Sequence, residues 1–293
     1  MPDVPGPPAP ALWLVDKPAG PTSHDVVATV RRNLPRKAKV GHSGTLDPFA
    51  TGLLVLMVGR ATRLAPFLTG LDKTYVADVR TGFTSRSGDI EGPIEPAGPP
   101  ARADDVAAVL PSFVGTLRQR VPALSAVKVG GERLYRKARR GEKVVDLPER
   151  EVSIHCLRLV DDLGDGAFRL EVHCGSGTYV RRLASDIGEA LGTGAYCTAL
   201  RRTMVGALSV DDAVAPEEVG PEGGLEPLAG LGHMARRDLD PGEVEAVLHG
   251  RPVPAGGASG EGSVALVADG HLVAVGEADH GAVRPSVVIG AAA

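Results

Sequence analysis

The chain has 293 residues, 43% hydrophobic and 23% charged, a balance that suits one large globular domain or a large and a small one and excludes a disordered chain. Aromatic residues make up only 3%, against 38 glycines and 24 prolines, so the core must be built mainly from Val, Leu and Ala. The formal net charge of −4 is unevenly spread: 14 acidic and 4 basic residues lie from Asp211 onward, leaving 22 acidic and 28 basic residues before it.

Two cationic clusters stand out in the first part, Arg31 to Lys39 and Arg118 to Lys143, the second holding nine Lys/Arg. Such clusters serve equally as phosphate contacts or as solvated faces. Cys156, Cys174 and Cys197 are odd in number and lack C-x-x-C spacing, as reduced core residues do. Met1 to Pro10 is proline-rich with neither a basic start nor an apolar core, so it reads as a loose leader on a cytoplasmic protein, not as a signal peptide or membrane span.

In chain order, Leu12 to Val15 is a short apolar strand that runs into the turn Asp16-Lys17-Pro18-Ala19-Gly20-Pro21. Lys17 could meet a phosphate there, although a structural turn is the preferred reading. Ser23 can cap a helix with Val26, Val27, Val30 and Leu34 on one face. Next comes Gly41-His42-Ser43-Gly44-Thr45-Leu46-Asp47-Pro48-Phe49-Ala50-Thr51-Gly52, followed by the apolar run Leu53 to Val58. Three glycines and a proline forbid a regular element, and Pro48 pushes Asp47 into an extended conformation that fixes where its carboxylate projects. A short carboxylate on a rigid loop, flanked by Leu46 and Phe49, is what a positioned nucleophile or base requires. An Asp-Pro turn is the plainer alternative.

A short helix is expected from Ala61 to Leu68, then a strand from Lys73 to Arg80 with Tyr75 near its start. Gly82 to Gly92 is turn-rich. A helix is expected over Asp104 to Val114, a second over Glu132 to Gly141 inside the basic stretch, and strands over Val152 to Leu159 and Ala167 to Cys174. Gly175-Ser176-Gly177 opens a helix with the stripe Val180, Leu183, Ile187 and Leu191, and Tyr179 and Arg181 sit in its first turn, where an anion would be favoured. Ala199 to Val210 returns as a strand. Residues 216–231 have linker composition, and Ser263 to Ala268 and His271 to Glu277, joined by Asp269-Gly270, form a hairpin.

The string Gly41 to Gly52 resembles the G-H-[TS]-G-T-L-D-P-x-A-x-G motif of the TruB family of tRNA pseudouridine synthases at every specified position. The resemblance continues through Lys17-Pro18-x-Gly20, Lys73-x-Tyr75, Ser125-Ala126-Val127-Lys128, Gly177-Thr178-Tyr179-Val180-Arg181 and Leu200-Arg201-Arg202, and covers roughly Leu12 to Val210. It implies an α+β pseudouridine synthase fold, a mixed and largely antiparallel sheet flanked by helices and loops, over residues 11–215. A small β-rich, PUA-like domain over residues 232–293 would follow. It implies isomerisation of the T-loop uridine at position 55 of tRNA to pseudouridine, with the T-arm as partner, no cofactor, no metal, no membrane and no obligatory protein partner; a monomer is expected.

By the same resemblance Asp47 is the catalytic nucleophile or base, Arg181 its ion-pair partner and Tyr75 the ring that stacks on the flipped base. Tyr179 would hydrogen-bond in the pocket, His42 would contact the distorted RNA, Leu200 would wall the pocket, and Lys17 would lie at the substrate. The loop Gly82 to Gly92 departs from the family's T-D-T-x-D pattern, with Ser85, Arg86 and Ser87 in place of its first residues and Asp89 retained, so no role is carried onto it. The chemistry suits the sequence, which offers no dinucleotide fingerprint, P-loop or metal-ligand spacing. Two rivals remain: an RNA-binding or tRNA-folding module with lost catalysis, and a glycosidase, which would need a second facing carboxylate.

Overall fold

The computed structural model describes residues 8–122, 147–257 and 262–290, together with the two short strands Lys128–Val129 and Glu132–Arg133. The chain divides into two compact units, one made of Met1–Pro48, Gly52–Leu71 and Val205–Ala293, the other of Phe49–Thr51 and Asp72–Met204.

The first unit is built on the strand Thr51–Val58, which pairs antiparallel with Ala11–Lys17 through Leu12↔Met57 to Asp16↔Leu53 and with Val40–His42 through Val40↔Val58 to His42↔Leu56. Leu53 to Val58 are all buried, which is why this strand reads as a continuous apolar run and not as an alternation. The helix Ser23–Asn33 lays Val26, Val27 and Val30 against Trp13, Val15, Leu54 and Leu56. Its N-cap is Thr22 and not Ser23: Thr22 and Asp25 form a reciprocal capping box, which releases the Ser23 hydroxyl to turn inward.

The C-terminal sheet runs in the order Ala235–Asp238, Gly262–Ala268, His271–Asp279, Ala282–Val288, Val253–Pro254. Asp269 and Gly270 both have positive φ, 50° and 81°, as the tight hairpin turn demands. Ala265, Val267, Leu272 and Val275 of this sheet, with Ile289 just past its strand Ala282–Val288, share one core cluster with Leu12, Met57, Leu64 and Leu68. Residues 216–231, expected as a linker, are packed: Val219 and Leu231 are buried, Leu225 bridges to Leu12, and Glu226 accepts from the Leu228 and Leu272 amides. Glu218 and Glu226 cap backbone donors instead of facing only water, a use that composition does not reveal.

The second unit is an antiparallel sheet in the order Ala195–Val205, Lys73–Thr81, Ala167–Cys174, Glu149–Gly164, Gly115–Arg120. Lys73–Thr81 alternates buried and half-exposed residues along its whole length, the pattern that made it legible. The helix Val180–Ala190 buries Val180, Leu183, Ala184 and Ile187. The helix expected over Asp104 to Val114 is α-helical only at Ala103–Val109 and continues as a 3₁₀ turn, Leu110–Phe113, because Pro111 has no amide hydrogen to extend the α ladder. At the start of the helix expected over Glu132 to Gly141, Glu132–Arg133 instead pairs as a strand with Lys128–Val129; the rest of that helix and its arginines lie outside the described residues. Among the described residues no helix is long and apolar enough to cross a membrane, and no group of three or more His, Cys, Asp or Glu is placed to hold a metal.

Candidate active site

Asp47 stands on a loop whose backbone is tied down on either side of it. Just before it, the Ser23 hydroxyl donates to the Leu46 carbonyl at 3.1 Å and accepts from the Leu46 amide at 2.9 Å, so one buried side chain satisfies both polar groups of one buried residue. Just after it, the Pro48 carbonyl accepts from the Lys17 ammonium at 3.1 Å and from the Gly20 amide at 2.8 Å. Gly20 makes that approach with φ of 105°, a conformation that costs glycine nothing and other residues strain. Lys17 is fully buried and also donates to the Pro18 carbonyl at 2.9 Å. These are the bonds of a tie between turn and loop, in which a charged donor adds strength. The half-buried Asp47 therefore stands between two residues whose backbones are gripped, Leu46 and Pro48.

At the entrance of the same loop the Ser43 amide donates to the Val55 carbonyl at 3.0 Å, continuing the strand pairing by one rung. His42 Nδ1 accepts from the Gly44 amide at 3.3 Å, which leaves the ring proton on Nε2, and its ring lies edge-on to His24 with centroids 5.6 Å apart. The Ser43 hydroxyl is buried without a hydrogen-bond partner among the described residues.

The second unit holds the other expected site residues. Tyr75 is buried on Lys73–Thr81, and Leu200 is buried on the adjacent strand Ala195–Val205; the Thr203 and Thr198 hydroxyls donate to the Thr74 and Asp78 carbonyls and stitch the two strands together. Lys73 lies two residues before Tyr75 and so on the same face, and Arg202 two residues after Leu200; both cations are buried. Burial, and then the Arg202 charge, lower the Lys73 pKa to about 8, while burial raises the opposing Cys174 thiol to about 11.

Arg181 is buried in the first turn of Val180–Ala190. Its Nη1 donates to Asp89 Oδ2 at 2.8 Å and to the Ser87 carbonyl at 2.9 Å. Asp89 is buried too, and its Oδ1 accepts from the Ser87 hydroxyl at 2.6 Å and the Glu91 amide at 3.0 Å. The turn that presents Asp89 docks on the sheet through the Cys197 amide and the Gly88 carbonyl, 2.9 Å apart. Gly88 has φ of 78°, and a Cβ there would sit 3.2 Å from the Arg181 carbonyl, so the turn and the helix approach this closely only with glycine.

Sequence reading gave Asp89 no role because the residues around it departed from the family pattern. The structure makes Asp89 the acid on Arg181 Nη1, 92 residues away in the chain, and the retained acid was the signal that could have found it. Ser23 was read as a helix cap; nothing in the sequence marked its hydroxyl as the holder of Leu46.

Antiparallel strands with an aspartate loop, and a β-rich module at the C-terminal end, define the pseudouridine synthase fold. The Cbf5–Nop10–Gar1 complex matches it with a TM-score of 0.71 and 27% identity, covering 99% of this chain and 90% of that one. An H/ACA RNP bound to a substrate RNA containing 2′-deoxyuridine matches with a TM-score of 0.74 and 24% identity, covering 96% and 85%.

Residues 31–180 match the TruB family pseudouridylate synthase N-terminal domain, 181–221 the tRNA pseudouridylate synthase B C-terminal domain, and 234–290 the tRNA pseudouridine synthase II C-terminal domain. The chain belongs to the TruB family. The tRNA pseudouridine synthase B of Thermobifida fusca (strain YX) is 44% identical over 292 residues, 96% of this chain and 98% of that one. That of Parasynechococcus marenigrum (strain WH8102) is 41% identical over 284 residues, 95% and 97%.

Proposed function

We propose that this protein is a tRNA pseudouridine synthase that isomerises the uridine at position 55 of the T-loop, acting alone and without a cofactor, in the cytoplasm. The observation that carries the reading is the similarity to tRNA pseudouridine synthase B over 96% of the chain, with the Asp47 loop intact. The reaction breaks the N1–C1′ bond, turns the uracil, and joins C5 to C1′; the C5 proton leaves and N1 regains one. It needs no oxidant, reductant or second substrate.

The target base must leave its stack, at a cost of roughly a few kcal/mol that phosphate contacts and pocket stacking offset. Asp47 serves as the nucleophile or base. Arg181 keeps that carboxylate ionised, Tyr75 stacks on the base, Tyr179 hydrogen-bonds in the pocket, Leu200 forms its wall, and His42 meets the RNA near the vacated position. Lys17 supports the reaction by holding Pro48. Asp89 and Ser87 orient Arg181, a bidentate cation that lysine would replace poorly.

The test is incubation of unmodified tRNA, and separately of a T-arm minihelix, with the purified protein and a chelator. Pseudouridine at the T-loop position of both RNAs is expected. Product only in the anticodon arm, or tight binding of tRNA with no product, would reject the reading; the second result would leave an RNA-binding module.

A further inference from the structure

Tyr179 is held from two neighbouring strands. Gln119, on Gly115–Arg120, and Arg150, on Glu149–Gly164, are direct cross-strand partners. Gln119 is buried, and its Oε1 accepts from the Tyr179 amide at 3.0 Å while its Nε2 donates to the Tyr179 carbonyl at 3.2 Å. A side-chain amide bonded to both polar groups of one residue fixes the peptide planes on either side of its Cα, and with them the direction of the Cα–Cβ bond. Tyr179 is the N-cap of Val180–Ala190, with extended φ of −100° and ψ of 101° and no side-chain cap of its own. Its amide therefore has no place in the helix ladder, and Gln119 supplies the acceptor.

Arg150 acts on the ring. Its guanidinium carbon lies 5.4 Å from the Tyr179 ring centroid, and its Nη1 donates to the Gly177 carbonyl at 3.4 Å. A planar cation over the ring face restricts the rotation that the backbone clamp leaves free. Neither residue is required by the sheet. An apolar side chain at position 119 would be buried at lower cost than an amide, whose desolvation is offset only by the bonds it makes to Tyr179.

We propose that Gln119 and Arg150 are positioning residues for the isomerisation, which act by fixing the direction of the Tyr179 phenol. The inference rests on reading the chain as a pseudouridine synthase with Tyr179 in the pocket. Both side chains act through Tyr179, so their effects should vanish when the phenol is gone.

Single-turnover rates and tRNA affinities are to be measured for Gln119→Leu and Arg150→Met, each alone and combined with Tyr179→Phe, beside wild type. Gln119→Leu is expected to slow the single-turnover step roughly 10-fold with tRNA Kd changed by less than about 3-fold, and Arg150→Met to slow it by about 3-fold. In the Tyr179→Phe background each should add less than about 2-fold. Losses that add in full in that background, or that appear only in Kd, would overturn the proposal. If Gln119→Leu fails to fold, Arg150→Met alone decides by the same cycle. A wild type that makes no pseudouridine fails the functional reading and this inference with it; an active wild type with additive losses fails this inference alone.

Discussion

In the unit that carries Asp47, the described ties that shape the site run from side chains to backbone: the Ser23 hydroxyl to Leu46, and the Lys17 ammonium to Pro48. In the unit that carries Arg181, they run from charge to charge, with Asp89 on Nη1 and Ser87 supporting both partners. The difference separates two ways of presenting a charged group. A loop tied through the backbone of Leu46 and Pro48 keeps those ties whatever the charge of the carboxylate between them. A buried guanidinium held by a buried carboxylate cannot lose that partner without leaving charge in a medium that penalises it.

The sharpest test of the comparison removes the Asp47 charge. Asp47→Asn should lower pseudouridine formation by at least about 100-fold, the contribution of a positioned acid or base or more. The ties at Leu46 and Pro48 do not involve its side-chain charge, so the loop backbone stays held and tRNA affinity should remain near wild type. Turnover within about tenfold of wild type would make Asp47 a turn residue. A large fall in melting temperature would show that the carboxylate also holds the loop.

The opposite pattern is expected of Asp89. Replacing it by alanine removes the anion from a buried ion pair and should cost about 3–5 kcal/mol of stability, with activity falling alongside. Chemical denaturation of Asp89→Ala and Asp47→Asn side by side compares the two units directly. Equal stabilities would break the distinction.

These same residues explain what could be read in advance. The Asp47 loop was legible because backbone constraints are written locally: glycines, a proline after the acid and an apolar strand behind it, all within eighteen residues from Gly41 to Val58. The strands Lys73–Thr81 and Ala167–Cys174 were legible because each buries one face and alternates accordingly. The Arg181–Asp89 pair and the Gln119–Tyr179 clamp span 92 and 60 residues of sequence, and no local pattern announces which partner such a side chain will find. The packing of residues 216–231 escaped for a related reason: Val219 and Leu231 are isolated apolar residues in a polar stretch, and only the rest of the first unit makes them core.

The smallest expected effect tests what burial does to the proton of a buried lysine in the second unit. Burial, with the Arg202 charge second, lowers Lys73 from 10.5 to about 8. Between these values the unfolded chain holds a proton that the folded chain releases, so the Lys73 contribution to stability rises with pH, from about pH 8 to its unfolded value. Cys174 works in the other direction, because its thiol ionises from 9.0 when unfolded but keeps its proton to about 11 when folded, and stability falls with pH over that range. The interval from about pH 8 to about pH 9 therefore isolates the lysine. Across it, wild type should gain about 1 kcal/mol relative to Lys73→Met in urea denaturation, and the two curves should run parallel below about pH 7 where Lys73 is protonated in both states. Parallel curves across the whole range would mean that burial does not lower the Lys73 pKa.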